Sequence, residues 1–120
     1  MNEIEVIVRL LSAIATAEEK GGFNTAYVDE RVVHAPPEIR DLMAIKAVKA
    51  GYLDGLHIVD NIDGQQKPHI FWEYSSPTVT LEGLAYLNEN SAANKVKEEI
   101  RKTIVDVAVQ LTTAALVNRK

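Results

Sequence analysis

Residues 47–58 read AVKAGYLDGLHI. The left half continues a helical run and Gly51 stops it, because glycine just past the last periodic residue takes the left-handed backbone that closes a helix. The right half turns at once to strand formers. Residues 56–62 and 69–74 are rich in Val, Ile, Phe, Trp and Tyr and enclose the turn residues NIDGQQKP, the pattern of a β-hairpin. The spacing therefore predicts a helix over residues 37–50, then a strand at 56–62, a loop at 63–68 and a strand at 69–74. Pro36 and Pro37 set the helix start, since proline disfavours a helical residue before it and suits the first helical turn. Ser75-Ser76-Pro77 breaks the second strand.

Working outward, residues 2–19 read as a helix. Ile4, Ile7, Leu11 and Ile14 recur at spacings of three and four. Asn2 can cap the start, and Gly21-Gly22 ends the run. Residues 23–36, FNTAYVDERVVHAP, leave two alternatives. Tyr27-Val28 forms a short strand, or Asp29 caps a short helix through Val33 or His34. After the hairpin comes TVTLEGLAYLNENS at residues 78–91. Thr80 is an N-cap, and Leu81, Leu84, Ala85 and Leu87 give helical spacing. Gly83 inside that helix costs up to about 1 kcal/mol relative to alanine, so it marks a place of close packing. Asn88 and Asn90 end the helix. Ser91 then caps a last helix from Ala92 to about Asn118.

A helix that runs straight into a two-stranded hairpin is the layout of a winged helix, in which the hairpin is the wing and the preceding helix is the recognition helix. The expected fold class is α+β: a helix-turn-helix with a β-hairpin wing, plus an N-terminal helix and a long C-terminal helix. Residues 1–90 form the winged-helix domain with its N-terminal helix, and residues 91–120 an assembly helix of the same domain. At 120 residues the chain has the length of one domain with a core of its own.

Gly51-Tyr52, the hairpin, and the threonine-led run Thr80, Gly83, Tyr86, Leu87 and Asn90 resemble the YjcQ-like winged-helix proteins of phages, prophages and low-GC Gram-positive bacteria. The likeness covers residues 47–97, and the first 45 residues match only in layout. It implies a small domain of DNA-binding type and brings no defined activity with it.

Composition narrows the chemistry. There are no cysteines, which excludes disulfide frameworks, thiol catalysis and zinc ribbons and fits a cytoplasmic location. The net charge of −4 argues against a general nucleic-acid binder. The N-terminal run carries Glu3, Glu5 and Arg9, and the tail is broken by Asp106, so neither a signal peptide nor a membrane span is expected. No phosphate-binding loop, nucleophile elbow or zinc-protease motif is present; no enzyme and no cofactor is expected. With the loop centred near Gln65-Gln66, His69 faces Ile62 and His57 faces Tyr74. These histidines then lie at opposite ends of the hairpin, His34 stands apart, and no metal site is expected.

The cations of the recognition helix and wing are the candidate nucleic-acid contacts: Arg40, Lys46 and Lys49 on the helix, with Gln65, Gln66 and Lys67 in the loop. Lys46 and Lys49 lie about 60° apart on the helix. Glu38, Asp41, Asp60 and Asp63 offset them. Ile39, Leu42, Met43, Ile45 and Val48 fit no single narrow stripe, so some of this helix points away from its own core, as a protein-binding surface would. Phe71 and Trp72 lie on opposite faces of a strand, one on the core and the other free to stack on a partner.

Residues 107–118, VAVQLTTAALVN, carry no charge. One stripe runs through Ile100, Ile104, Val107, Leu111 and Ala114, close to a heptad seam, and Ala108 and Ala115 allow close approach. The expected partner is a second copy related by a two-fold axis, unless the first helix covers this stripe within one monomer. Taken together, the expectation is a dimeric DNA-binding protein of phage or prophage type, regulatory in role and contacting double-stranded DNA. The alternative is a winged-helix module that binds a protein.

Overall fold

The computed structural model describes residues 2–59, 68–90 and 93–117, with side chains as far as Leu111. Among the described residues, five helices and two short ribbons follow one another: α1 Glu3–Glu19, α2 Glu30–Val33, α3 Pro37–Lys49, β1 Leu53–Asp54, β2 Ile58–Val59, β3 His69–Ile70, β4 Thr78–Val79, α4 Leu81–Glu89 and α5 Ala93–Val117. The fold is α+β and mostly helical, between an N-terminal helix and a long C-terminal one.

α1 is the central element and packs against α2, α3, α4, α5 and β4. That position explains why its buried surface is wider than one stripe. Val6, Val8, Leu10, Leu11, Ala13, Ile14 and Ala17 are all buried, while Ile4, expected on the stripe, is 56% exposed. Burying Leu10, Leu11 and Ile14 stabilises the fold by roughly 1.5–3 kcal/mol each. Asn2 caps the helix by accepting hydrogen bonds from the amides of Ile4 and Glu5. The C-terminal end closes as the glycine pair predicts, with the Gly22 amide donating to the Ala17 carbonyl at 3.1 Å.

Between α1 and α3 the helical alternative holds. Asp29 accepts from the Val32 amide and starts α2. Tyr27-Val28 is not a strand: residues Thr25–Val28 form a 3-10 turn capped by Asn24. A strand there would need a partner ladder, and α1, α2 and α5 surround this turn instead. His34, in left-handed conformation with φ 56°, ends α2.

The hairpin differs from its expected form in register. Ile58 pairs with Ile70 and Val59 with His69, so His69 faces Val59, not Ile62. The outgoing and returning chains meet again at the base, where Leu53 pairs with Val79 and Asp54 with Thr78. Residues 55–57 separate the two ladders on the outgoing side and 71–77 on the return. The longer return is taken up by a 3-10 turn at Trp72–Tyr74, so residues 71–74 are not strand. The turn drives Trp72 inward to 5% exposure and leaves Tyr74 76% exposed.

The residues that carry the sequence likeness form one joint. Gly51, at φ 83°, ends α3, and its carbonyl accepts a hydrogen bond from the Thr80 hydroxyl. The Thr80 amide donates to the Tyr52 carbonyl at 3.0 Å, and the Thr80 oxygen caps α4 by accepting from the Gly83 amide at 3.0 Å. Tyr52 and Tyr86 stack with centroids 4.6 Å apart. Any side chain at position 83 would overlap the Tyr52 carbonyl and come within 2.7 Å of Val79 Cγ1. The glycine is there for close approach, and it offsets its helix cost with contact.

Candidate functional site

Three surfaces hold the residues that sequence singles out: the outer side of α3, the β2–β3 ribbon and the far side of α5.

On α3, the three cations have different fates. Arg40 is turned inward. Its Nε donates to Asp41 Oδ1 at 2.8 Å and its Nη1 to the Val28 carbonyl at 3.3 Å. Its guanidinium lies 5.3 Å from the Trp72 ring centroid. Trp72 Nε1 donates to the same Asp41 Oδ1 at 2.8 Å, and Phe23 stacks on Trp72. Arg40 is therefore a tether between α3 and the return of the hairpin, not a phosphate contact. Lys46 is half exposed and reaches Glu3 at 3.3 Å, a surface pair worth about 0–1 kcal/mol. Lys49 is exposed, with no ion-pair partner among the described residues. Beside them Leu42 is 49% exposed and Glu38 is exposed, whereas Met43 and Ile45 are buried. Gln65, Gln66 and Lys67 lie outside the described residues.

The ribbon gathers rings. Phe71 is half-buried on its outer side. The His57 ring lies 5.7 Å from it, His69 4.7 Å in an edge-on arrangement, and Tyr74 6.2 Å. The two histidines are thus neighbours of one phenylalanine and do not sit at opposite ends of the hairpin, a direct result of the shifted register. Among the described residues no group of three side chains could hold a metal ion.

On α5, the expected seam divides. Ile100, Ile104 and Val107 are at most 2% exposed and lie in the same core as α1, so this chain's own first helix covers them and they are not available to a second copy. The physical reason is that α1 needs a wide partner and α5 supplies it. Ala108 is half-buried, and Leu111 is 38% exposed. The side chains of Ala114 and Ala115 lie outside the described residues. Among the described residues, the exposed large apolar side chains of α5 are Val105, Val109 and Leu111, 39%, 58% and 38% exposed.

Arg9, which in the sequence only interrupts the N-terminal apolar run, has a structural role. It is 2% exposed. Its Nε donates to the Val32 carbonyl at 2.9 Å, and its Nη2 meets His34 Nε2 at 3.1 Å and Glu99 Oε1 at 3.0 Å. The hydrogen bond from Arg9 holds the Glu99 carboxyl below its ordinary value; burial opposes it, and the charges of Arg9 and His34 add to it. The pair floors a surface groove of about 360 Å³ walled by Ile4, Val8 and Val96. Arg9 and Glu99 satisfy each other there, so the cluster is a clasp joining α1, the end of α2 and α5.

Charge is unevenly placed. Between Ala50 and Asn94 the sequence holds six carboxylates (Asp54, Asp60, Asp63, Glu73, Glu82 and Glu89) and one cation, Lys67. That stretch carries −5, against +1 for the rest with its 12 cations and 11 carboxylates, which together give the net −4. Asp54, Glu73, Glu82 and Glu89 are all exposed.

These features define a small α+β domain with a helix-to-ribbon joint, an acidic stretch of sequence between Ala50 and Asn94, and no described helix long and apolar enough to cross a membrane. The chain belongs to the YjcQ family: the family model described as YjcQ protein matches residues 9–107. No curated protein and no solved structure matches it.

Proposed function

We propose that this chain is a non-enzymatic winged-helix module that docks a protein partner through α3 and the adjoining ribbon, and that it works as a homodimer. The order of α1, α2 and α3, then a ribbon between β1 and β4, then α4 matches the winged-helix layout. Layout alone gives no function. The observation that carries the protein-partner reading is the treatment of charge. Duplex DNA needs several free cations facing phosphates, yet Arg40 is a half-buried tether and the stretch that holds the ribbon carries −5. Leu42, exposed on α3, suits an apolar contact instead.

Titration of random-sequence duplex DNA at low salt tests this. No binding is expected at tens of micromolar protein. Tight, steeply salt-dependent binding would overturn the reading. A second reading, a phage-type DNA-binding regulator, is favoured by Lys46 and Lys49, both exposed on the last turn of α3. It requires that Lys46→Ala and Lys49→Ala weaken such binding.

The dimer is proposed on Val105 and Val109, one turn apart on α5, where exposed β-branched side chains on a long helix call for cover. An identical chain is the commonest partner for such a surface.

A further inference from the structure

We propose that the outer side of the β2–β3 ribbon, centred on Phe71 and Tyr74, docks a cationic segment of the partner protein, one rich in arginine or lysine. This inference rests on the protein-partner function above and names the chemistry of that partner.

The ring cluster is built rather than incidental. The Phe71 amide donates to the His57 carbonyl at 2.9 Å. The Ser75 hydroxyl donates to the Phe71 carbonyl at 2.8 Å and accepts from the His57 amide at 2.9 Å. Both strands beside the rings are thus locked together through one serine. Trp72, the neighbouring aromatic, takes the inward position and fills the space under the ribbon. Phe71 and Tyr74 are left outward, and Tyr74 at 76% exposure serves no core. The backbone that carries the ring pair is held by these bonds and has little ordering entropy to lose on binding.

Charge complementarity selects the occupant. Aromatic faces attract cations and repel anions. Glu73 is exposed between Trp72 and Tyr74, Asp54 is exposed in β1, and no lysine or arginine from position 50 to 94 falls among the described residues. A phosphate backbone or an acidic peptide finds no lysine or arginine among the described residues here, only the rings of His57 and His69. An arginine side chain finds ring faces to stack on and, in Glu73, a carboxylate to pair with.

The test is an amide-resolved NMR titration of the intact protein with an oligoarginine peptide, a length-matched oligoglutamate peptide and a short DNA duplex. Oligoarginine is expected to shift His57, His69, Phe71 and Tyr74 selectively. Tyr74→Leu and Phe71→Leu, which keep apolar bulk and remove the ring, should each weaken it about threefold, as an exposed cation–π contact implies. Glu73→Gln should weaken it and lower its salt dependence. Tyr74→Leu guards against a folding artefact, because Tyr74 is 76% exposed. Absent binding, shifts spread evenly over all carboxylates, or binding indifferent to both leucine variants would overturn the inference. If oligoarginine fails and DNA also leaves the protein unchanged, only this inference falls. If the duplex binds and shifts Lys46 and Lys49, the protein-partner function falls with it.

Discussion

Arg9 Nη2 donates to Glu99 Oε1 at 3.0 Å, and the two ends of that pair sit in different media: the Arg9 side chain is 2% exposed and that of Glu99 55%. A buried guanidinium must have its charge answered. Here the answer comes from a carboxylate that water still reaches, across the joint between the first and last helices.

The Arg9–Glu99 pair makes stability depend on pH in a definite sense. The Glu99 carboxyl titrates below its ordinary value because Arg9 hydrogen-bonds it. The folded state therefore binds fewer protons there than the unfolded state near that pKa. The contribution is complete above the unfolded pKa of about 4.3, and it is lost as pH falls through the folded value. Glu99→Gln should cost about 1 kcal/mol at neutral pH, a modest figure because solvent screens the exposed carboxylate. Urea melts at pH 7 and at pH 3 check this, and the gap between variant and parent should narrow at the lower pH. A gap of constant size would show that the carboxylate's charge plays no part.

Gly83 should tolerate no side chain. A Cβ there overlaps the Tyr52 carbonyl and crowds Val79 Cγ1, and neither backbone nor a packed valine yields freely. Gly83→Ala gains helix propensity of up to about 1 kcal/mol, while overpacking costs typically 1–3 kcal/mol. The net should be a loss, read as a lower melting temperature. A rise in melting temperature would mean that the α3–α4 joint is looser than its geometry states.

Arg40 separates a structural role from a binding role. Arg40→Ala removes the contact over Trp72 and two hydrogen bonds and leaves the Val28 carbonyl without this donor. A loss of about 1–2 kcal/mol is expected. Lys49→Ala, at the surface of the same helix, should stay within about 0.5 kcal/mol. Equal stability of the two variants in chemical denaturation would sink the tether assignment.

Much of this was legible from residue order, for local reasons. Asn2, Asp29 and Thr80 cap helices because each oxygen acts on amides two or three residues away, and Gly51 and Gly83 announce backbone demands. What stayed hidden depends on partners distant in sequence. Arg40 looks like any surface arginine until the return of the hairpin sets Trp72 against it. The ribbon register shifted because the excess residues on the return coil into a 3-10 turn, and composition does not show where a chain coils. Ile100, Ile104 and Val107 have the spacing of a seam, but spacing does not say whether α1 or a second copy fills it.

That last ambiguity yields the sharpest experiment on assembly. Ile104 is fully buried against the core, whereas Val109, little more than a turn further along α5, is 58% exposed. Ile104→Ala should cost about 2–5 kcal/mol through the cavity it leaves, and its effect should appear as unfolding. Val109→Glu places a charge on a surface that is wet in the monomer and dry in the proposed dimer. It should leave helix content and urea stability of the monomer unchanged while sedimentation at micromolar concentration shifts from dimer to monomer mass. A parent chain that already sediments as a monomer would refute the dimer. Val109→Glu protein that unfolds would instead assign Val109 to the monomer core. At 1.5 Å per residue α5 is about 37 Å long and α1 about 25 Å, from 25 and 17 residues respectively. The first helix is therefore too short to lie along the whole of the last one, and the second copy is proposed to cover the outward face at Val105 and Val109.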